Sequence, residues 1–208
     1  ETLRLSAPYV ADPLALYRTL CGERPHTVLL ESAEIDSKAG KQSLLLVDAC
    51  LRLECRDQTV TVRALSTNGE PLLALLAKQL PSEVIRQQQD NALALTFPRA
   101  DQAQDEDSRL KAVGVLDALR QLITGLETEH ERSSLFLAGT FAYDLIAAYE
   151  DLPEVPEGSN DCPDFCFYVA ETLITIDHTV QATKIQACVF GGEGFAPSYR
   201  RLSARLGE

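Results

Sequence analysis

Basic side chains are scarce in this sequence. Lys and Arg number 19 against 31 Asp and Glu, giving a formal charge of −12 at pH 7, and no basic stripe interrupts the acidic excess. Phosphate backbones demand clustered cations, so nucleic-acid binding is disfavoured. An anionic membrane surface is disfavoured for the same reason. Long apolar runs are missing as well: none approaches the ~20 residues that a membrane-spanning helix requires. The longest candidate, Ser43 to Leu51, is interrupted by Asp48 and reads as a buried strand. The opening Glu1-Thr2-Leu3-Arg4-Leu5 has no basic region followed by an apolar core, so no secretory signal is visible and a cytoplasmic location is expected.

What is present is ordinary globular composition: 208 residues, 45% hydrophobic and 24% charged. That length suits one large domain or two small ones. Six cysteines, Cys21, Cys50, Cys55, Cys162, Cys166 and Cys188, mostly sit within apolar runs. Together with the missing signal this reads as buried, reduced thiols rather than a disulfide framework.

Asp12-Pro13 is a helix start, an N-cap acceptor followed by proline at the first helical position, and the helix should reach about Gly22. The run Thr27 to Glu31 follows as a strand. Ser43 to Cys55 and Thr59 to Leu65, separated by Arg56-Asp57-Gln58, read as a hairpin. Gly69-Glu70-Pro71 opens a short helix with Leu72, Leu73, Leu75, Leu76 and Leu80 inward, stopped by Pro81. Ala92 to Phe97 is another strand. Acidic residues from Asp101 to Asp107 lead into a helix expected over Ser108 to Leu126, with Val113, Val115, Leu116, Leu119, Leu122 and Ile123 at helical spacing. Leu135 to Tyr143 returns to strand, Gly139 marking a close backbone approach. One or two helical turns over Asp144 to Tyr149 and a surface loop over Leu152 to Asp164 come next. Phe165 to Ile176 and Ala182 to Phe190 form a hairpin turning at Asp177-His178-Thr179-Val180, and a basic helix closes the chain from about Pro197. Strands arriving as hairpins, with helices between sets, predict an α+β fold with mostly antiparallel sheet and helices packed on it.

Few residues carry chemistry. His26, His130 and His178 stand alone, and each reads as a surface or capping histidine. Cys162 and Cys166 have three residues between them and no second pair to complete a zinc site. Cys166 alternating with Tyr168 on one strand face accounts for the pattern. Asp101, Asp105, Glu106 and Asp107 lack the glycine and terminal glutamate of a calcium loop and read as a solvated loop before a helix N-terminus. Gly191-Gly192-Glu193-Gly194 lacks the lysine and hydroxyl of a phosphate loop and is a turn. What remains is Leu29-Leu30-Glu31-Ser32, an apolar strand ending in a carboxylate and a hydroxyl. Ser32 either closes the strand by bonding its own backbone or helps to hold a polar ligand.

Around that run a longer pattern stands out. Leu29-Leu30-Glu31-Ser32-Ala33-Glu34-Ile35-Asp36-Ser37-Lys38 is followed by Ser43-Leu44-Leu45-Leu46-Val47-Asp48, Asp105-Glu106-Asp107, Val115-Leu116-Asp117-Ala118 and Phe141-Ala142-Tyr143-Asp144-Leu145. Glu150-Asp151-Leu152-Pro153 and the segment from Cys162 through Cys166 to Leu173 complete it. In order and spacing, over nearly the whole chain, this resembles the N-terminal region of anthranilate synthase component I, a chorismate-utilising family. The resemblance implies a lyase making anthranilate and pyruvate from chorismate, with ammonia from a glutamine amidotransferase partner, Mg²⁺, and feedback inhibition by L-tryptophan. It implies that Leu30, Glu31 and Ser32 belong to the tryptophan site. A carboxylate suits the ligand's ammonium and a hydroxyl its polar head. Some relatives carry a lysine before Ser-Leu-Leu-Leu; Gln42 stands there in this chain, with Lys41 one position earlier, and is a tentative member of the site. Leu-Ala-Gly-Thr at 137–140 departs from a Gly-Gly pair.

The resemblance further implies that residues 1–208 are a single N-terminal regulatory domain. It places the chorismate site, the Mg²⁺ ligands and the rest of the tryptophan pocket in a larger C-terminal domain outside this chain. The expected fragment is inactive by itself and holds no cofactor. Three alternatives stay open: an enzyme in its own right, a docking domain for the catalytic domain or the amidotransferase, and the same region of an aminodeoxychorismate synthase component I.

Overall fold

Two long strands organise the protein. In a computed structural model, which describes residues 1–31, 41–99, 105–126, 135–150 and 161–207, β3 (Gln42–Arg56) and β8 (Phe165–Asp177) pair antiparallel from Gln42 opposite Asp177 to Cys55 opposite Phe165. β3 is rich in buried Leu, and β8 in Phe, Ile and Thr, residues that pack well on a pleated surface. The remaining strands are β1 (Thr2–Ala7), β2 (Val28–Glu31), β4 (Thr59–Ala64), β5 (Ile85–Gln89), β6 (Ala92–Thr96), β7 (Leu137–Phe141) and β9 (Ala182–Cys188). Among the described residues they make one antiparallel sheet in the order β1-β9-β8-β3-β4-β6-β5, with β2 also on β3 and β7 also on β8. This is the expected α+β class.

Each long strand changes neighbour halfway along. β2 lines Ser43 to Leu46 of β3 and β4 lines Leu51 to Arg56. On the far side, β7 lines Phe165 to Val169 of β8 and β9 lines Thr172 to Asp177. Register shifts between Leu46 and Leu51 mark the changeover. Bulges of this kind bend a strand and re-aim a side chain. Glu171 falls between the paired positions Ala170 and Thr172, and its carboxylate turns into the protein, 3% exposed. There Ser66 Oγ donates to it at 2.8 Å and Arg201 Nη2 at 2.7 Å. Arg201 belongs to α5 (Phe195–Leu206), so the charged pair fastens that helix to the sheet.

Helices cover one face. α1 (Pro13–Leu20) begins as expected, Asp12 Oδ1 accepting from the Ala15 N–H. Its Leu16, Tyr17 and Leu20 pack on Leu45, Val47, Ile174 and Ile176. α2 (Glu70–Gln79) and α4 (Asp117–Gly125) bury Leu72, Leu76, Ala118 and Leu122 against Leu51, Leu53, Val62 and Leu95. Burying one such leucine contributes about 1.5–3 kcal/mol. Arg86, on β5, donates to the carbonyls of Ala77 and Leu80 at the end of α2 and to those of Pro81 and Val84 in the turn that follows.

The structure departs from expectation in two places. The helix predicted over Ser108 to Leu126 is two helices, α3 (Glu106–Lys111) and α4, with Ala112 extended between them. Gly114 weakens helical propensity there, and its N–H is captured at 2.8 Å by Asp117 Oδ2, while Tyr149 Oη accepts from Leu116 N–H. The break sends Val115 into the core and leaves Ile123, expected inward, 57% exposed. β1 and β5 form where the sequence pattern predicts no strand. Both lie at the ends of the sheet order, and β5, Ile-Arg-Gln-Gln-Gln, has no apolar alternation of its own; edge strands need little. The segments at 101–104 and 151–160, read as loops, and His130 lie outside the described residues.

Gly139 does sit at a close approach: a Cβ there would strike the Cys166 carbonyl oxygen and the Phe167 ring across β7–β8. Gly139→Ala is therefore expected to cost about 2–3 kcal/mol, read as a lowered urea midpoint with unchanged slope. An unchanged midpoint would show that β7 can move away from β8 freely.

Candidate ligand site at the β2–β3 hairpin

Four residues of the sequence were singled out for a ligand: Leu30, Glu31, Ser32 and Gln42. Ser32 lies outside the described residues. The other three sit at one end of the β2–β3 pair, where Leu30 opposes Leu44 and Glu31 opposes Ser43. Successive residues of a strand point to opposite faces. Leu30 and Gln42 thus share one face with Leu44, and Glu31 shares the other with Ser43. Leu30 is 45% exposed, an apolar surface open to contact. Glu31 and Gln42 are exposed as well. The hairpin end therefore presents a carboxylate, a carboxamide and a leucine to solvent, split over two faces of the sheet edge.

The polar partners of this end come from a distant turn. Gln42 pairs with Asp177, the last residue of β8, and Gln42 Nε2 reaches Asp177 Oδ2 at 3.4 Å. Asp177 accepts from the Thr179 and Val180 N–H groups, at 2.9 and 3.1 Å. These bonds to its charged form, Val180 first, hold its carboxyl below the ordinary carboxylate range. His178, expected as a surface or capping histidine, is instead half-buried and bonded on both ring nitrogens. Nε2 lies 2.9 Å from Ser43 Oγ and Nδ1 2.9 Å from the Tyr9 hydroxyl. The Tyr9 ring meets the imidazole edge-on with centroids 5.9 Å apart. The sequence shows the turn that carries Asp177 and His178 and places Ser43 at the head of a family-like run, but nothing in it links Tyr9 or Ser43 to His178.

A second polar group occupies the opposite face. His26, with φ of 64°, tilts over the Tyr168 ring at 5.4 Å. Burial, and then the Arg52 charge, push its imidazole below the ordinary histidine value. Arg52 pairs with Glu54, and the positions opposite them are Tyr168 and Cys166. Cys166 and Tyr168 thus share a strand face, as expected.

Among the described residues no three His, Cys, Asp or Glu side chains are placed to hold a metal ion. All six cysteines are free thiols, four of them buried. Burial raises the thiols of Cys21, Cys50 and Cys188, and that of Cys55 to about 12. A thiol held protonated is a poor nucleophile and a poor metal ligand. Cys55 also makes stability depend on pH. Its folded value lies above the ordinary 9.0, so its contribution is complete below pH 9 and declines as pH climbs toward the folded value. The urea midpoint is expected to hold from neutrality to about pH 8.5 and to fall above it, less steeply in Cys55→Ala. Near pH ~10.5 the two should differ in their decline by about 1–2 kcal/mol. Parallel declines would remove Cys55 as a cause.

No protein-family profile matches the chain. Individual proteins do. It is 48% identical over 209 aligned positions, its whole length, to anthranilate synthase component 1 of Escherichia coli. It is 47% identical over 98% of its length to the protein of that name from Serratia marcescens, and 46% identical over 91% to that of Vibrio cholerae. The chain spans 40%, 39% and 36% of these relatives' lengths. Identities of 46–48% over 91–100% of its length place the chain in the anthranilate synthase component 1 family, matching the N-terminal part of its members.

Proposed function

We propose that this chain is the tryptophan-sensing region of an anthranilate synthase component I. The complete enzyme would form anthranilate and pyruvate from chorismate, taking ammonia from a glutamine amidotransferase partner. The observation that supports the reading is the loop end of the β2–β3 pair, where Glu31 on one face and Gln42 and the half-exposed Leu30 on the other stand open to solvent. An exposed carboxylate complements an ammonium, a carboxamide can bond a carboxylate, and a leucine offers apolar surface to an indole ring. Rigid strands beneath hold these groups before a ligand arrives. Ser32, the next residue, would add a hydroxyl.

Regulation follows from differential affinity. A ligand held more tightly in a low-activity arrangement of the complete enzyme shifts the population toward it, by no more than that difference in affinity. Mg²⁺ would supply charge neutralisation at the chorismate carboxylate. No three-donor cluster for it occurs among the described residues; the family resemblance assigns its ligands to the C-terminal domain.

The test uses the complete gene product with its amidotransferase. Glu31→Gln and Ser32→Ala are each expected to raise the half-inhibitory tryptophan concentration about tenfold or more, the loss of a hydrogen bond to a charged group. Unchanged inhibition in both would remove the hairpin as the site. Residues 1–208 alone should form no anthranilate from chorismate, ammonia and Mg²⁺. They should bind L-tryptophan weakly, which is readable by ligand fluorescence because the chain has no tryptophan of its own. Turnover by this segment would instead make it an enzyme in its own right.

A further inference from the structure

The turn that ends β8 grips three consecutive residues of the strand opposite Glu31. The His178 N–H donates to the Lys41 carbonyl at 2.9 Å. Asp177 receives the Gln42 carboxamide at 3.4 Å. The His178 ring holds Ser43 Oγ at 2.9 Å and is itself held at 2.9 Å by the Tyr9 hydroxyl. Ser43 is 2% exposed, so its hydroxyl has no solvent to turn to, and a buried hydroxyl left unbonded is costly. Directly opposed residues of an antiparallel pair keep their Cβ atoms about 4.5–5.5 Å apart. Whatever fixes Ser43 therefore fixes the backbone against which Glu31 is presented.

We propose that His178 is a positioning residue for the ligand bound at the β2–β3 hairpin, acting through Ser43 and Lys41 and anchored by Tyr9. The inference rests on the reading of that hairpin as a tryptophan site. Its imidazole suits the task because either neutral tautomer offers one donor and one acceptor. Each neighbouring hydroxyl can supply the complement. The chain from Tyr9 to Ser43 thus closes without a charged group. A ligand that meets a strand already fixed loses less affinity to ordering than one that must order it. The Tyr9 ring, edge-on to the imidazole, restrains its rotation. Tyr9 also packs with Leu45, Ile174 and Ile176, so the core beneath α1 is tied to the hairpin through one ring.

The experiment measures the half-inhibitory tryptophan concentration, together with chorismate KM and kcat without tryptophan, for the complete gene product and four variants. His178→Ala is expected to raise the half-inhibitory concentration about fivefold to tenfold, by loss of preorganisation. His178→Gln, whose amide can reach Ser43 again, should recover most of that loss. Tyr9→Phe, which deletes one hydroxyl and keeps the packing, should fall between, and it carries the test if His178→Ala fails to fold. Glu31→Gln is the reference. Weakened inhibition in Glu31→Gln with no change in the other three overturns the role of His178 and leaves the hairpin site standing. No change in any of the four variants overturns the inference, and if Ser32→Ala is unchanged as well the site falls with it. Shifts of KM or kcat as large as the shift in inhibition would reduce His178 to a general structural role and overturn the proposal.

Discussion

The antiparallel pairing of β3 with β8 is the constraint on which the rest of the molecule depends. Every other strand joins the sheet through one of these two, directly or through a neighbour. Their shared length gives the helices two apolar patches on one strand pair, with Leu45 and Val47 under α1 and Leu51, Leu53 and Cys55 under α2 and α4. Because side chains alternate with period two, a slip of one residue in this register would turn both sets toward solvent. The pairing also carries Asp177, and with it the turn bearing His178, to the end of β3 where the hairpin site lies.

The bulges midway let two strands serve two half-sheets. β2 and β9 extend one end, β4 and β7 the other. Such an interruption exposes backbone groups and invites water, and the protein fills it with paired charge. Glu171 takes Ser66 and Arg201, and nearby Arg24 binds both Asp48 and the Val47 carbonyl. A carboxylate as buried as Glu171 contributes little net stability even when paired, but losing its partner would be severely destabilising. Its arrangement specifies where α5 docks. Asn68, equally buried, does similar work nearby by bonding the Cys188 carbonyl and the Phe190 N–H.

The hairpin site borrows its rigidity from this frame. β2 is only four residues long, and a strand so short has little stability alone. Its partner is held on the other side by β8 and at its end by the Asp177-His178 turn. The side chains at this end of the sheet are exposed, whereas Ser43 beside them is buried and His178 half-buried. On the proposed reading, that division would let a ligand be recognised without opening the core.

Much of this was written in the chain. Asp12-Pro13 set the start of α1, the apolar alternation of Ser43 to Cys55 and Phe165 to Ile176 set the long strands, and Pro81 stopped α2. These are local effects, decided by caps, fixed dihedrals and the period of the apolar residues. The ordered motifs from Leu29 to Leu173 pointed to the family before any geometry was known. Where local signals were weak or misleading, packing decided. Helical spacing across Ala112 to Leu116 gave way to a break because Asp117 and Tyr149 capture the freed backbone groups. β5 formed from Ile-Arg-Gln-Gln-Gln because β6 offered an edge. The side-chain chain from Tyr9 through His178 to Ser43 was decided by tertiary structure alone. Those residues are separated by 169 and 135 positions, and only strand register, a long-range property, brings them within hydrogen-bond reach.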